Sequence, residues 1–309
     1  MQGIDNTDFT SITFSKQVKS CFLSVVIPVY KDVKGLEHTL KSLMQQTLRE
    51  TEYEIIVCND GGNSSISDIC RAYAVQEISI TPNRGSYNAR NRGVDEAVGE
   101  YIAFVDADVT VPEQWLECGK KELQAADYVG GPVIINKEET VTPAQYHDSV
   151  TSFKGNEPGN RHNFFVTANL FVRRKVFEKL GGFDERLRSG GDNEFGNRVH
   201  RSGLFTQSFS EEIPVLHPPR DFRDLVHKRV RISQGKLLLN RLYPDRYHFR
   251  KPSLLKMLVG LFVPPSISGV KRMYSKNENF GFVKYYFFMW HFKIRVNLGL
   301  LPVYYEIKR

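Results

Sequence analysis

No apolar run in this sequence reaches the roughly 18 residues that a helix needs to cross a bilayer. Neither common phosphate loop is present. Pro28-Val29-Tyr30-Lys31 stands where a G-x-G-x-x-G would follow the first strand, and there is no G-x-x-x-x-G-K-[ST]. This argues against a Rossmann dehydrogenase and against a P-loop NTPase. The four cysteines (Cys21, Cys58, Cys70 and Cys118) lack the spacing of a metal site, so they read as reduced, buried thiols of a cytosolic protein. Met1–Thr10 is polar with two acids, unlike a signal peptide. Repeats and low-complexity segments are missing too. Acids are scarce in one region: residues 220–309 hold 5 Asp/Glu against 19 Lys/Arg, a net +14. Residues 1–219 hold 30 against 23, a net −7. A basic C-terminal surface facing something anionic, a membrane or a nucleic acid, is the consequence.

What is present is the composition of a soluble globular protein, 41% hydrophobic and 25% charged over 309 residues. That length suits one large α/β domain or a domain with an appendage. Residues 1–21 read as a loose arm. Leu23–Tyr30 predicts a first strand. Leu36, Leu40, Leu43 and Met44 then fall on one helical face. Strands are expected at Tyr53–Cys58, Ile78–Ile80 and Tyr101–Val105, with helices between them through Ile69–Tyr73 and over Ser86–Ala97, the last capped by Ser86. Strand and helix alternating at this spacing predict a doubly wound, mostly parallel sheet. Further on, Pro112 opens a helix over Glu113–Ala126, Tyr128–Ile135 and Phe165–Val172 read as strands, and residues 136–163 read as an irregular substrate loop.

The Tyr101 strand runs into Asp106-Ala107-Asp108. Side chains two apart on an extended backbone point to one side, roughly 6.5–7 Å apart. Ligands of open α/β sheets bind at the carboxyl ends of strands. Two acids there suit Mg²⁺ or Mn²⁺ carrying a diphosphate; the alternative is a polar turn before the next helix. Ser189-Gly190-Gly191-Asp192-Asn193-Glu194 leads into a helix whose first turn holds two acids, for chemistry or for capping.

Taken in order, several motifs resemble family 2 glycosyltransferases of the GT-A fold. They are Val26-Ile27-Pro28-Val29-Tyr30, Val57-Cys58-Asn59-Asp60-Gly61-Gly62, Asn83-Arg84-Gly85 with Ala89-Arg90-Asn91-Arg92-Gly93, Gly99-Glu100-Tyr101-Ile102 with Asp106-Ala107-Asp108, and Gly181-Gly182-Phe183-Asp184-Glu185. The likeness covers roughly residues 22–235. It implies a GT-A catalytic domain over 22–219 and a basic, helical, aromatic-rich appendage over 220–309. It also implies donor contacts at Pro28, Tyr30, Asp60, Asn83, Arg90 and Asp106. Pro28 and Tyr30 would flank the base, Asp60 would meet a uracil-type edge, and Arg90 would reach the diphosphate. Asn59 replaces the first of the family's usual two acids. Asp106, Asp108 and His217 would hold Mg²⁺ or Mn²⁺. Asp192 is the expected general base, with Glu194 the runner-up, and Gly191 stands where the family has a glutamate. The bland readings are a turn at Asp60, a solvated face for Arg84, Arg90 and Arg92, and a histidine at 217 that only packs.

The implied activity is an inverting, metal-dependent, hexosyltransferase-type transfer. A sugar moves from a nucleotide diphosphate sugar, UDP-linked by preference, to a hydroxyl of a carbohydrate or lipid-linked acceptor, for polysaccharide or glycolipid synthesis. The alternative is a catalytically silent nucleotide-sugar-binding protein. Aromatics crowd Phe280–Tyr305 among Lys284, Lys293 and Arg295, which suits peripheral attachment to the cytoplasmic membrane face. The alternative is packing on the catalytic domain or a dimer contact. No nucleic-acid partner is expected.

Overall fold

The computed structural model describes residues 18–153, 163–251, 253–275 and 279–308. In chain order the elements are β1 (Lys19–Val29), α1 (Val33–Leu43), β2 (Tyr53–Asp60), α2 (Ser64–Ala72), β3 (Gln76–Ile80), α3 (Ser86–Glu96), β4 (Gly99–Val105), α4 (Trp115–Ala125), β5 (Tyr128–Gly130) and β6 (Val133–Ile135). They continue with α5 (Pro143–Thr151), β7 (Asn169–Arg173), α6 (Arg174–Leu180), α7 (Gly191–Ser202), β8 (Gln207–Phe209), β9 (Val215–His217), α8 (Phe222–Leu242), α9 (Leu254–Phe262), α10 (Ile267–Met273) and α11 (Phe282–Lys308). The chain divides into two compact units. The first ends at Ile134 and resumes over Phe153–His217; the second is Ile135–Ser152 with Pro218–Arg309.

The first unit is built on a seven-stranded sheet of order β3-β2-β1-β4-β7-β5-β8. The strands β3, β2, β1 and β4 are parallel, β7 is antiparallel to β4 and to β5, and β8 is parallel to β5. Val25, Val26 and Ile27 are all fully buried, so β1 is covered on both faces, which is why it reads as a continuous apolar run rather than an alternating one. A Cβ at Gly93 would lie 2.3 Å from Val26 Cγ1, so glycine there lets α3 lie close on β1.

Several expectations are corrected. The first strand begins at Lys19, so residues 19–21 are strand rather than arm; residues 1–17 lie outside the described residues. Met44 is 41% exposed and leaves the apolar face of α1. Gly85, not Ser86, occupies the N-cap of α3, and α4 starts at Trp115 after a turn closed by Trp115 N–H on the Pro112 carbonyl. The run Tyr128–Ile135 is two strands. Pro132 has no N–H to give a ladder, and β6 pairs with β9 instead of extending β5.

Residues 135–152 belong to the second unit rather than to the catalytic domain, and they contain a helix. Thr142 and Gln145 form a reciprocal capping box and Pro143 sits in the first turn, so α5 is locally specified despite its polar sequence. The remainder of the expected substrate loop, residues 154–162, lies outside the described residues. In this unit Tyr285, Phe280 and Phe292 are buried, and they surround Tyr146 and His147 of α5. Asp148, fully buried, is met by Arg220 and Lys228. No single helix among the described residues is long and apolar enough to cross a membrane.

Candidate active site at the carboxyl ends of the strands

Asp60 ends β2 and is 3% exposed. Its Oδ1 accepts from Arg84 N–H at 2.7 Å, and its Oδ2 accepts from Gly85 N–H and Asn83 Nδ2, each at 2.7 Å. The carboxylate therefore folds the Asn83-Arg84-Gly85 turn onto the strand end. Gly85 holds φ +99°, a conformation glycine adopts without strain, and a Cβ there would strike the Arg188 guanidinium. A carboxylate offers about four acceptor positions, so one remains on Oδ1. The neighbouring Asn59 is spent within the fold, on Asn63 and Glu77. Tyr30 is 51% exposed, and its ring lies over Gly61, where a Cβ would approach Tyr30 Cε2 to 2.9 Å. Pro28, two residues earlier on β1, is half-buried.

The helix α3 carries the next layer. Arg90, expected at the diphosphate, is 3% exposed, and its Nη2 donates to Asp106 Oδ1 at 2.5 Å. Its guanidinium also lies 5.8 Å from the Tyr87 ring. Arg90 thus acts on Asp106 rather than as a free cation. Arg92 follows the bland reading, exposed and loosely paired with Asp95. Asn88 and Asn91 donate to Glu185 at 2.6 and 2.9 Å, which docks the Phe183-Asp184-Glu185 turn on α3 and orients the start of α7.

Asp106 and Asp108 follow β4, both about one-third exposed. His217 reaches Asp108 because Thr110 and Leu216 exchange backbone hydrogen bonds of 2.8 and 2.9 Å. Its Nε2 lies 3.5 Å from Asp108 Oδ2, and its ring packs on Phe153. Among the described residues no group of three or more His, Cys, Asp or Glu side chains converges as around a metal. The expected set of Asp106, Asp108 and His217 is therefore not gathered: Asp106 pairs with Arg90, and Asp108 lies by His217. What remains is one carboxylate beside one imidazole, a pair that would leave most of a divalent cation's shell to water and phosphate oxygens.

The N-cap of α7 is Gly190, in the left-handed conformation, with Asp192 in the first turn. Asp192 Oδ1 accepts from Asn193 N–H at 2.9 Å and from the Tyr87 hydroxyl at 3.3 Å. Burial raises the pKa of Asp192, and the charge of Asp106 adds to that. Its hydrogen bond from Asn193, Arg90 and Tyr87 pull the other way. Glu194, the runner-up, is 2% exposed, and both its oxygens are taken by Arg198 at 3.0 and 2.7 Å. Arg198 also donates to the carbonyls of Leu180 and Gly182. Glu194, through Arg198, ties α7 to the end of α6, and both its oxygens are committed to that guanidinium.

Two residues of this site escaped the sequence reading. In the sequence Tyr87 is one aromatic on a polar helix. Arg188 donates to Asn83 Oδ1 at 3.0 Å and brings an exposed cation to the turn at 83–85. Its signal was the run of basic residues just after Asp184-Glu185.

A parallel sheet that reverses at β7, with acids at its strand ends, is the GT-A architecture of nucleotide-sugar enzymes. Its solved neighbours share that fold. The mannosyltransferase PcManGT of Pyrobaculum calidifontis, solved with GDP-Man and Mn²⁺, superposes with a TM-score of 0.55 over 79% of this chain and 68% of its own, at 16% identity. Residues 1–349 of S. aureus TarS, solved with UDP-GlcNAc, give 0.53 over 74% and 68%, at 17% identity. The profile of glycosyl transferase family 2 matches residues 24–181. Glycosyltransferase AglE of Haloferax volcanii is 34% identical over 253 residues, covering 79% of this chain and 82% of its own. The Escherichia coli chondroitin synthase is 28% identical over 292 residues, 78% of this chain and 42% of its own. The chain belongs to glycosyl transferase family 2 and is a glycosyltransferase.

Proposed function

We propose that the chain transfers a sugar, with inversion, from a nucleoside diphosphate sugar to an acceptor hydroxyl. The observation that carries this reading is the contact series Asp192–Tyr87–Arg90–Asp106. It sets a carboxylate of raised proton affinity beside the acids at the end of β4. A general base works best with a pKa near the working pH, and burial moves Asp192 in that direction. Asp192 takes the acceptor proton while the acceptor oxygen bonds to the anomeric carbon and the nucleoside diphosphate departs. A single displacement of this kind inverts the centre and needs no enzyme nucleophile.

The base of the donor stacks on Tyr30 beside Pro28, and the remaining acceptor position of Asp60 receives a base N–H, as uracil offers. Arg188 and Asn83 lie on the donor side. Arg90 fixes the Asp106 carboxylate toward the ribose. Asp108 and His217 would hold Mg²⁺ or Mn²⁺, which when bound offsets the charge growing on the departing diphosphate. That PcManGT was solved with GDP-Man and Mn²⁺, and TarS with UDP-GlcNAc, supports a nucleotide-sugar donor and a divalent ion. The match to chondroitin synthase supports a carbohydrate acceptor, in polysaccharide or glycolipid synthesis.

The test is a thermal-shift screen of nucleotide sugars with and without Mn²⁺, followed by transfer assays. A ligand at 100 times its Kd stabilises by about 2.7 kcal/mol. Asp108→Asn removes the metal-dependent part of the shift, and Asp192→Asn keeps the shift but loses at least about 10²-fold in transfer. A donor that binds the wild-type chain but is neither transferred nor hydrolysed with any acceptor overturns the enzymatic mechanism in favour of a silent binding protein.

A further inference from the structure

We propose that the elbow formed by α9 and α10 docks into the headgroup boundary of an anionic bilayer. The inference does not depend on the donor, the ion or the base.

The aromatic-rich stretch of α11 is the obvious membrane candidate in the sequence, yet its large rings Tyr285 and Phe292 are turned inward on α5. α11 leaves Val283, Phe287, Leu298 and Tyr305 exposed, but these are spread along its length, and a compact exposed apolar stripe lies on α9. Leu255, Leu258, Val259 and Phe262 are 72, 41, 47 and 79% exposed. Their spacing, i, i+3, i+4 and i+7, is one face of a helix. The opposite face of α9 is held. Met257 and Gly260 are buried, and a Cβ on Gly260 would lie 2.4 Å from Asn297 of α11. The apolar stripe is therefore the side left over after α9 has packed, and Val263 and Ile267, both at least half exposed, continue it around the bend.

The bend is built rather than frayed. α9 and α10 meet at 87°. The carbonyl of Val263 accepts from Lys293 Nζ at 2.8 Å, and that of Pro265 accepts from the Tyr286 hydroxyl at 2.9 Å. These contacts satisfy backbone groups that would otherwise oppose burial in lipid. Helices of 9 and 7 residues are about 14 and 11 Å long, well short of the roughly 30 Å hydrocarbon core. The elbow therefore lies in the boundary rather than across the membrane.

Charge selects the occupant. Between Asp245 and Glu306 the sequence holds ten Lys/Arg and a single acid, Glu278. Lys256, Lys271, Arg272 and Lys284, all exposed, belong to the elbow and the start of α11. Anionic headgroups complement that charge. A second copy of this face would meet like charge, which disfavours self-association.

Co-sedimentation of the full chain with vesicles tests the proposal, using phosphatidylcholine alone or with a quarter phosphatidylglycerol. The wild-type chain is expected to pellet with the anionic vesicles and more weakly as salt rises. Leu255→Ser with Phe262→Ser lowers binding at least tenfold while the melting temperature holds, because both side chains are exposed. Lys256→Gln, Lys271→Gln and Arg272→Gln together weaken binding and flatten its salt dependence. Phe262→Trp gives a blue-shifted emission on adding anionic vesicles. No pelleting by a folded chain, or a Leu255/Phe262 variant that binds like wild type, overturns the proposal. Self-association that the same variant abolishes overturns it too, and assigns the face to a second copy.

Discussion

The Tyr87 hydroxyl donates to Asp192 Oδ1 while the ring of the same tyrosine lies against Arg90, which in turn holds Asp106. The ring also closes on Gly191, where a Cβ would stand 2.7 Å from two of its carbons. The residue before Asp192 is a glutamate in the family resemblance and a glycine here. The space released is filled by the tyrosine, so the change at 191 and the contact to 192 are one structural feature.

Tyr87→Phe should therefore change proton affinity more than binding. The hydroxyl favours ionised Asp192, and its loss raises the carboxyl further. The acidic limb of the pH–rate profile moves to higher pH, kcat falls by up to about tenfold, as for one weak hydrogen bond, and the donor KM stays within twofold to threefold (about 2–3). Gly191→Ala should give the same profile by displacing the ring. A profile that does not move in Tyr87→Phe removes Tyr87 from the chemistry.

Asp192 and Glu194 are separable by stability as well as by rate. Burial raises Asp192, so the folded state holds its proton more tightly than the unfolded chain does. Ionising it costs stability as pH climbs above the ordinary aspartate range, and the cost is absent below that range. Asp192→Asn is expected to melt higher than wild type at neutral pH, with no gain in strong acid, while transfer is lost. Glu194→Ala strands Arg198 in a buried site, at about 3–5 kcal/mol, and leaves kcat per folded molecule nearly unchanged. Melting curves paired with active-site-normalised rates decide it; a Glu194→Ala chain that is fully folded and inactive would reverse the two assignments.

Much of this was legible because it is local. Buried β-branched runs such as Val25–Ile27 announce parallel strands, and the acids at 60, 106, 108 and 192 stand at strand or helix ends. Contacts between distant segments were not legible. The sequence does not say that Arg90 turns inward to Asp106, that Arg188 reaches Asn83, or that the Asp60 carboxylate closes the turn at 83–85. Each depends on which partner a charged side chain finds, and composition and spacing are silent on that. The helix α5 was missed for another reason. Its apolar periodicity is weak, although Thr142-Pro143 with Gln145 carries a capping signal, and its burial partners lie more than a hundred residues away at 280–292.

The last prediction concerns those partners. His147 is 3% exposed, its Nδ1 lies 3.0 Å from the Tyr285 hydroxyl, and its ring is faced by Phe288 and Phe292. Burial pushes its pKa down to about 4, with Arg229 acting the same way and Asp148 opposing. The folded chain therefore refuses a proton that the unfolded chain accepts. The contribution is fully present above the ordinary histidine value of 6.5 and is lost as pH falls from there toward about 4. At about 1.4 kcal/mol per pH unit the loss is on the order of 3 kcal/mol. Asp148 is also held below its ordinary range, offset from its own burial by Lys228 and Arg220, so its contribution fades only at lower pH. Calorimetry across pH 4 to 7 (about three units), with amide exchange read on α11, should show wild-type stability falling through that window. His147→Gln begins less stable at neutral pH, through lost packing, but changes less across the same range. Parallel curves for the two chains would mean that the acid sensitivity of this unit arises elsewhere.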